Sequence, residues 1–397
     1  MRITFVIPYF YPAWQYGGTP RVAFELARAL AARGHQIKVL TTDSGGVRRL
    51  PAVKWKSPVV VEGIEVFYFP NLSNYLAFRH RLFLPFGFAR RLKAELNDCD
   101  ILHIHEFRST LAVPSYSAAR KRRIPYVVSP HGGLMHLGKR RAKRMFDRLW
   151  GYSILENASV LAAVSPLEYR DALTFKVDAS RIRLLPNALC PEDYEQLPER
   201  GKFKSKWGIR RKKLILFLAR LHWIKGADIL VEAFARLLER HDDLHLAIAG
   251  PDDGQEHELR RMVAATRIEN HVTFPGYLNE HDKREAMVDS DVLVIPSRSE
   301  VFAITALEGM MCGLPIVLSS ACGLAPMPPA DCGVRLFETG KIDDLVEKLA
   351  CTILQDKKDQ NSAGCRTFVA KEFSPGAIAQ QAEALYQEIV SRGQGHR

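Results

Sequence analysis

The sequence lacks the long apolar runs that cross membranes. None of its uninterrupted apolar runs approaches the roughly 18 residues that a spanning helix needs, so we expect no transmembrane helix. A recognisable export signal is also missing. Met1 to Ile7 is a short apolar run with one basic residue, broken by Pro8 and Pro12 and without a small-residue cleavage site. We therefore predict that residues 2–7 form a first strand.

Closely spaced cysteine pairs are absent as well. The seven cysteines are odd in number and include no C-x-x-C pair. No cluster of His and Cys has the spacing of a zinc site. Without an export signal, this pattern favours free thiols in a reducing compartment, and we predict a cytoplasmic protein.

Acidic residues are scarce in the first half of the chain. Residues 1–195 contain 29 Lys and Arg against 16 Asp and Glu, a net charge of +13, whereas the remainder contains 27 against 28, a net charge of −1. This asymmetry indicates an anionic partner for the first half: a membrane surface, an anionic lipid or a nucleic acid. We see no basic helix with base-reading residues and no stacking motif, so we do not expect a nucleic acid.

Strands and helices alternate along the chain, which is typical of doubly wound parallel sheets. A polar stretch at 190–213, rich in Pro, Glu, Arg and Lys, is interpreted as a linker. We predict two consecutive α/β domains, 1–190 and 191–372, followed by a last helix from about Pro375 to Ser391. A cleft between two such sheets is the natural place for a ligand.

Two acidic residues mark the C-terminal edge of a predicted strand in the segment Ser299–Ser320. The buried run 291–295 predicts the strand, a loop with Glu300 follows, and a helix that begins near Ala303 carries Glu308. Ligands bind at this edge of open parallel sheets. The two carboxylates either share acid/base chemistry or accept hydrogen bonds from ligand hydroxyls; the alternative is a pair of solvated surface acids.

Two cations follow the first predicted strand of the second domain, at residues 214–219. Arg220 ends this strand, and Lys225 with Gly226 opens the next helix. Together with the helix N-terminus they would bind an anionic group, for which a diphosphate is the obvious candidate. Alternatively, both are solvated loop cations.

A pair of glycines, Gly17 and Gly18, lies at the loop-to-helix junction of the first β-α-β unit. Glycine allows the backbone to approach a ligand closely. The pair is neither a G-x-G-x-x-G fingerprint nor a Walker loop, so an ordinary flexible loop is the alternative.

Two segments of the first half combine basic and apolar residues. Residues 79–93, with Pro85 expected to begin a helix, suit either an anionic membrane surface or plain packing. Residues 139–156 predict a helix whose basic cluster lies at 139–148 and whose apolar face we expect to pack on the core. That apolar face consists of Ala142, Met145, Phe146, Leu149, Trp150 and Ile154.

Over nearly its whole length the sequence resembles the retaining glycosyltransferases of family 4, which have the two-Rossmann-domain architecture called GT-B. The order and spacing of many short motifs carry the resemblance. They are Gly17-Gly18-Thr-Pro-Arg21, Arg33-Gly34-His35, Asp100-Ile-Leu-His-Ile-His105, Ser129-Pro-His131-Gly132, Leu185-Pro-Asn187, Ala219-Arg220, Lys225-Gly226, Ala249-Gly250, Phe274-Pro-Gly276 and the pair Glu300 and Glu308.

The resemblance implies a role for each matching residue. Arg220 and Lys225 would hold the diphosphate of a nucleotide-sugar donor, UDP- or GDP-linked, and Glu308 would bind the ribose hydroxyls. Glu300 would contact the transferred sugar, and His131 would lie beside it. The backbone N–H groups around Phe302, Ala303 and Ile304 would meet the sugar and phosphates, and Gly17 and Gly18 would let the first domain close on the phosphates.

The resemblance also implies the division of labour between the domains. Residues 1–190 would bind the acceptor and residues 191–372 the donor, while the last helix, 373–392, would cross back onto the first domain. The acceptor would be a glycan or lipid-linked glycan of cell-surface polysaccharide or lipopolysaccharide biosynthesis. Related enzymes dock on the inner face of the cell membrane, so we expect the basic segments 79–93 and 139–148 to contact anionic lipid.

The sequence departs from the family pattern near the first glutamate. Val301 and Ala303 stand where the family commonly has glycine, and Ala188 replaces a glycine after Asn187. Side chains therefore enter the predicted donor site, and the sugar preference does not follow from the resemblance.

We expect a mechanism without a metal ion or an organic cofactor. Asp98-Cys-Asp100 and Asp289-Ser-Asp291 match the D-x-D pattern of another glycosyltransferase fold, but both precede strands, at the edge opposite the predicted site. Cations and helix N-termini would stabilise the departing diphosphate instead. Two alternatives remain: a nucleotide-sugar 2-epimerase of the same fold, and a sugar-binding module without activity.

Overall fold

The computed structural model describes residues 1–50, 57–135, 140–211, 213–330, 332–354 and 362–394. The chain forms two compact units. Unit 1 comprises Met1–Ala188 with Pro375–Arg397, and unit 2 comprises Leu189–Ser374. The C-terminal helix therefore belongs to the unit built by the first half of the chain.

Unit 1 is built on an eight-stranded sheet in which only the edge strand Val59–Val61 is antiparallel to its neighbour. In spatial order the strands are Ile182–Leu184, Val160–Ala163, Tyr126–Ser129, Ile101–His105, Arg2–Val6, Gln36–Thr42, Ile64–Phe69 and Val59–Val61. The helices are Gly18–Ala32, Asn74–His80, Phe88–Glu95, Ala112–Arg122, Arg140–Phe146, Tyr152–Glu156, Pro166–Thr174 and Pro375–Gln394. A short ribbon pairs Ser44–Gly45 with Arg48–Arg49.

Both faces of this sheet are buried, because successive side chains of a strand point to opposite faces. In the first strand Val6 packs into one core cluster, whereas Ile3 and Phe5 pack into a second cluster on the other face. The second cluster includes Ile378 and Tyr386 of the C-terminal helix. This helix also packs against Gly18–Ala32.

Unit 2 repeats the arrangement with six strands, all parallel. In spatial order they are Val272–Gly276, Leu244–Ala249, Lys213–Leu218, Val292–Ile295, Ile316–Ser319 and Val334–Phe337. The helices are Lys202–Lys206, Ala227–Leu238, Glu256–Ala265, Glu280–Asp289, Ile304–Met311, Ile342–Leu354 and Ser362–Phe373. Two doubly wound parallel sheets confirm the predicted fold class.

The predicted linker at 190–213 is wrong. Phe203 is fully buried and Tyr194 is 3% exposed. The Asp289 carboxylate accepts hydrogen bonds from the backbone N–H groups of Gly201 and Lys204, the latter at 2.8 Å. Polar composition suggested a linker, but the few apolar residues of this stretch anchor it to unit 2.

The predicted helix start at Pro85 is also wrong. Pro85 instead makes an isolated bridge with Asn71. The helix begins at Phe88, after Gly87 in the left-handed conformation at φ 74°. Glycine adopts this conformation without the steric cost that other residues incur.

The helix at 140–156 turns its predicted apolar face outward. Met145, Leu149 and Trp150 are 63%, 55% and 41% exposed, while Asp147 is buried. A π-helical turn spans Asp147–Gly151 and separates the two α-helical parts. Since a π turn inserts an extra residue, it changes which residues face the core. Of the predicted helix, Lys139 lies outside the described residues.

No helix among the described residues is long and apolar enough to cross a bilayer. All seven cysteines lie in the described residues, and none of them forms a disulfide.

Candidate functional site

The carboxyl edge of the unit 2 sheet brings Lys225 and Glu300 together. Each follows a strand, and these strands are neighbours, with Ile215 paired to Val292. The two side chains form an ion pair and are 18% and 17% exposed. Glu300 is held in place by its backbone, whose N–H donates to Ala321 O at 3.1 Å and whose carbonyl accepts from Gly323 N at 2.8 Å.

Gly226 makes this pairing sterically feasible. It has a φ of 72°, and a side chain at this position would collide with the carbonyl of Pro296. The loop with Lys225 therefore lies directly against the end of the Val292–Ile295 strand.

Arg298 fastens the same two loops to each other. Its guanidinium donates to both carboxylate oxygens of Asp228, at 2.8 and 2.6 Å, and to the Trp223 carbonyl at 2.6 Å. Its backbone N–H donates to Ile224 O at 2.8 Å. The sequence analysis missed Arg298, because nothing in its local pattern reveals a partner 70 residues away.

A second buried ion pair holds Glu308. This carboxylate lies on the helix Ile304–Met311 and accepts from Lys283 Nζ at 2.5 Å, and the two side chains are 8% and 11% exposed. Lys283 also contacts Glu280 at 2.9 Å. Burial disfavours the ammonium ion, but the attraction of the two carboxylates outweighs this effect and raises the pKa of Lys283. Lys283 was not predicted.

Arg220 forms a more exposed pair. Its guanidinium contacts the Asp253 carboxylate, and the side chains are 51% and 39% exposed. Asp253 follows the neighbouring strand Leu244–Ala249, and its backbone N–H donates to Leu221 O at 3.1 Å. All three predicted charged groups of this edge, Arg220, Lys225 and Glu300, thus belong to one sheet edge, together with Glu308.

The start of the helix Ile304–Met311 is tightly packed. Phe302 and Ala303 are 7% and 5% exposed. The Ile304 N–H donates to Phe302 O at 3.2 Å. Burial raises the pKa of the Cys322 thiol to about 12, and the Ala303 N–H is one of the hydrogen bonds that oppose this rise. Two of the backbone groups expected to meet a donor are therefore engaged within the protein.

In unit 1, His131 follows the strand Tyr126–Ser129 in a left-handed conformation with φ 49°. Its Nε2 lies 2.9 Å from Nδ1 of His105, the last residue of the neighbouring strand. The two rings are nearly coplanar, with 8° between their planes. Burial lowers the pKa of His131 to about 4, so this side chain is neutral near pH 7.

His103 lies two residues before His105 and links the strand to the C-terminal helix. Its Nδ1 is 2.6 Å from the Tyr386 hydroxyl, and its Nε2 is 2.8 Å from Ser129 Oγ. Its ring stacks on that of His105 with centroids 4.1 Å apart. Burial lowers the pKa of His103 to about 3. The three histidines are therefore neutral together.

Two further residues hold the loop that carries His131. The Glu168 carboxylate accepts from the backbone N–H groups of Gly132 at 2.6 Å and Val164 at 2.9 Å. Burial raises the pKa of Glu168 to about 7. Arg108 donates to the carbonyls of residues 133–135 and is held by both oxygens of Asp147 at 2.7 Å. The π turn that begins at Asp147 thus serves this loop.

A carboxylate next to His105 has an aromatic and cationic environment. Glu106 accepts a hydrogen bond from the Tyr9 hydroxyl. Arg81 lies over the rings of Tyr9 and Tyr16, at 5.3 and 4.8 Å from their centroids. Burial raises the pKa of Glu106, while Arg81 opposes this rise. Arg81, expected at a membrane surface, belongs to this cluster instead.

The predicted glycine pair lies at the start of the first helix. Gly17 precedes the helix Gly18–Ala32 and has a φ of 103°. A side chain here would meet no atom within 4 Å. The backbone conformation, rather than crowding in this structure, therefore explains glycine at position 17.

Two family models cover most of the chain. The model described as Glycosyltransferase Family 4 matches residues 16–193, and the model described as Glycosyl transferases group 1 matches residues 199–365. This chain belongs to the glycosyltransferases of family 4 and group 1.

Named relatives of this glycosyltransferase agree with the assignment. It is 23% identical over 394 residues to the phosphatidylinositol N-acetylglucosaminyltransferase gpi3 subunit of Schizosaccharomyces pombe, covering 97% of this chain and 80% of the relative. It is 26% identical over 391 residues to the N-acetyl-alpha-D-glucosaminyl L-malate synthase of Bacillus anthracis, covering 94% of each chain.

The solved structure of Anabaena HepE in complex with UDP superposes on the glycosyltransferase with a TM-score of 0.76 at 19% identity, covering 98% of this chain and 100% of the other. At this level of identity the likeness establishes the GT-B fold.

The D-x-D carboxylates of the glycosyltransferase are engaged within the protein. Asp98 and Asp100 contact Arg2, whereas Asp289 and Asp291 accept from backbone N–H groups. Among the described residues, one group of three side chains has the proximity of metal ligands: His281, Asp282 and Glu285. Asp282 there contacts Lys206 at 2.8 Å. Independence from metal stays a prediction.

Proposed function

We propose that this glycosyltransferase moves a sugar from a UDP- or GDP-sugar to a glycan or lipid-linked glycan, with retention of the anomeric configuration. The observation that carries the proposal is the carboxyl edge of the unit 2 sheet. There Lys225 with Glu300, Lys283 with Glu308, and Arg220 with Asp253 present cations and carboxylates side by side. Such a set matches the diphosphate and the hydroxyl groups of a nucleotide sugar. The Anabaena HepE structure contains UDP, which agrees with this ligand class.

The charged groups divide the donor between them. Arg220 and Lys225 contact the diphosphate and stabilise the negative charge that develops as the bond to the sugar breaks. Glu308 accepts hydrogen bonds from the ribose hydroxyls, and Glu300 accepts them from the transferred sugar. Lys283 and Lys225 keep these two carboxylates ionised and oriented.

Retention follows when both bonds lie on one face of the sugar. The bond between the anomeric carbon and the β-phosphate oxygen breaks, and the acceptor oxygen forms a new bond to that carbon on the same face. The acceptor proton passes to the departing phosphate. No carboxylate nucleophile is needed, and the protein cations supply the charge stabilisation, so we propose a reaction without a divalent ion.

Exposed apolar residues beside basic residues support docking on an anionic membrane. In unit 1 the segment around 72–86 exposes Leu72, Tyr75, Phe78, Leu82, Leu84 and Phe86, and the helix at 140–156 exposes Met145, Leu149, Trp150 and Tyr152. Arg79, Arg90, Arg141, Arg144 and Arg148 are exposed among them. This composition suits the interface of an anionic bilayer. A phosphatidylinositol glycosyltransferase among the relatives agrees with a lipid-linked acceptor and a location at the inner face of the membrane.

A donor screen tests the proposal. The protein is incubated with UDP-, GDP-, ADP- and dTDP-sugars, and thermal shift and hydrolysis are measured with and without EDTA. We expect one donor class to raise the midpoint of unfolding, because a bound ligand stabilises the folded state. We also expect its hydrolysis to persist in EDTA and to release the sugar first as the anomer of the donor, as followed by NMR. Inversion, or complete loss of turnover in EDTA, would contradict the proposed mechanism.

A further inference from the structure

Three neutral histidines at the carboxyl edge of the unit 1 sheet raise the question of where their protons lie. His105 and His131 share one hydrogen bond, between Nδ1 of the former and Nε2 of the latter at 2.9 Å. A neutral imidazole carries one N–H and one acceptor nitrogen. One of these two nitrogens therefore donates and the other accepts, and each choice fixes the second nitrogen of both rings.

The surroundings of His105 decide between the two choices. Its side chain is 1% exposed, and its Nε2 is buried without a hydrogen-bond partner among the described residues. The neighbouring rings are Phe5, with centroids 4.8 Å apart, and His103. If the proton of His105 were on Nε2, a buried N–H would lack an acceptor. Buried N–H groups without a partner are rarer in proteins than acceptors left incompletely bonded.

A doubly protonated His105 is excluded by the same atom. It would place the unpartnered N–H and a positive charge in an apolar environment, which is far costlier than a neutral ring. Burial accordingly lowers the pKa of His105 well below its usual value, and the proximity of His103 and His131 lowers it further.

We propose that His105 fixes the tautomer of His131. The Nδ1–H of His105 donates to Nε2 of His131, so that His131 carries its only proton on Nδ1. This nitrogen makes no hydrogen bond to any described residue. His131 therefore offers an N–H donor at the edge of the sheet, and not a lone pair.

The assignment defines what His131 does in the reaction, and this part rests on the proposed function. Beside the transferred sugar, Nδ1–H donates a hydrogen bond to a sugar hydroxyl and orients the ring. It does not accept the proton of the acceptor, which passes to the departing phosphate. His105 acts only through His131 and is a positioning residue.

NMR of the intact protein with ¹⁵N-labelled histidine measures the tautomer directly. Long-range ¹H–¹⁵N spectra near neutral pH distinguish protonated from unprotonated ring nitrogens, and the signals of His131 and His105 are identified by their loss in His131→Gln and His105→Asn. We expect both residues to carry the proton on Nδ1. A protonated Nε2 in either ring would overturn the proposal.

Two nearly isosteric variants of His105 provide the kinetic test. Asn keeps an N–H donor close to the position of Nδ1, whereas Leu removes it. We expect His105→Leu to lower kcat about tenfold through loss of an oriented hydrogen bond, with KM for the donor sugar changed by less than about twofold. His105→Asn should restore most of kcat, and His257→Leu, on an exposed helix of unit 2, should leave it unchanged. Equal loss in the Asn and Leu variants would contradict a role for the donated proton.

The two arms separate this inference from the proposed function. If His131→Ala retains full turnover while NMR finds Nδ1–H, the role of His131 in the proposed function is wrong and the tautomer stands. If His131→Ala loses turnover while NMR finds Nε2–H, the proposed function stands and the tautomer assignment is wrong.

Discussion

The two sheets of this glycosyltransferase present chemically different carboxyl edges. In unit 2 the edge carries charges in pairs, and Lys283 with Glu308 is almost fully buried. In unit 1 the edge carries His103, His105 and His131, whose pKa values are lowered by burial, and Glu168, whose pKa is raised. Both edges hold ionisable side chains, but unit 2 keeps them charged and unit 1 keeps them neutral.

The difference has a physical reason. A buried charge is tolerated when a partner compensates it, and a ligand with charges of its own can take over that partner's role. A diphosphate is such a ligand, and paired cations suit it. A neutral histidine instead provides a hydrogen bond of fixed direction without attracting counterions, which suits an uncharged sugar. The following predictions test whether charge matters in one unit and neutrality in the other.

The largest effect is expected for Lys225→Met. This change removes a cation from the proposed diphosphate site and leaves Glu300 without its partner. We expect kcat to fall by about two to three orders of magnitude, the range for loss of one transition-state hydrogen-bond donor. Lys341→Met, which removes an exposed lysine of the same unit paired with Glu338, is the matched control for steady-state kinetics. Equal activity of the two variants would mean that Lys225 does not contact the diphosphate.

The neutrality of unit 1 predicts a pH-dependent stability that Glu168→Gln alters. Burial raises the pKa of Glu168 from 4.5 to about 7, so in this range the folded chain keeps a proton that the unfolded chain has lost. The contribution of Glu168 to the free energy of unfolding is therefore fully present below about pH 4.5. It falls by up to about 3 kcal/mol as the pH rises towards 7.

Histidine residues with lowered pKa have the opposite effect: they lose their contribution as the pH falls from 6.5 towards their folded pKa, about 3 for His103 and about 4 for His131. Glu168→Gln should therefore make stability rise more steeply between pH 4.5 and 7, as measured by urea unfolding at several pH values. Parallel profiles for the variant and the original protein would show that Glu168 is ionised in the fold like an ordinary carboxylate.

The surface charge of unit 1 predicts a smaller effect on membrane binding. Arg144 and Arg148 are exposed beside Leu149 and Trp150. Replacing both arginines by Gln should weaken binding to anionic vesicles by about 2 kcal/mol, or roughly 30-fold, at about 1 kcal/mol per basic residue near the surface. Co-sedimentation measures this loss. Replacing the exposed pair Arg260 and Arg261 of unit 2 by Gln is the control, and the same loss in both variants would contradict a specific docking surface.

The smallest effect is expected for Asp253→Asn. Asp253 pairs with Arg220 in the structure, and in our account it competes with the diphosphate for this cation. An exposed pair contributes up to about 1 kcal/mol, so removing the carboxylate should tighten nucleotide binding by at most about fivefold. Calorimetric titration with UDP and GDP measures this change. Weaker binding in the variant would show that Asp253 contacts the ligand itself.

The fold could be predicted from the sequence because both sheets are encoded by short buried runs. Runs such as LHLAIA are apolar throughout, and every residue of this strand is buried. The placement of Arg220, Lys225 and Glu300 at one edge followed, since charged residues directly after parallel strands lie at the same edge of a sheet.

The partners of these residues could not be predicted in the same way. Lys283, Asp253 and Arg298 each reach their contacts through strand order or helix packing, across 25 to 75 residues of sequence. Glu168 reads locally as an ordinary helix-capping residue after Ser165, yet it also holds Gly132. The outward face of the helix at 140–156 depends on the buried pair of Asp147 with Arg108, which no periodicity reveals.

Nucleotide binding by Arg220→Ala is the most direct test of the assignment of unit 2. Calorimetric titration of the variant and the original protein with UDP and GDP is compared with Arg236→Ala. The control removes an arginine of similar exposure that is also paired with carboxylates. We expect the original protein and Arg236→Ala to bind one of the two nucleotides equally, and Arg220→Ala to bind it at least about tenfold more weakly, since a charge-assisted hydrogen bond is lost. Undiminished binding by Arg220→Ala, or no binding of either nucleotide by the original protein, would contradict a diphosphate site at the carboxyl edge of unit 2.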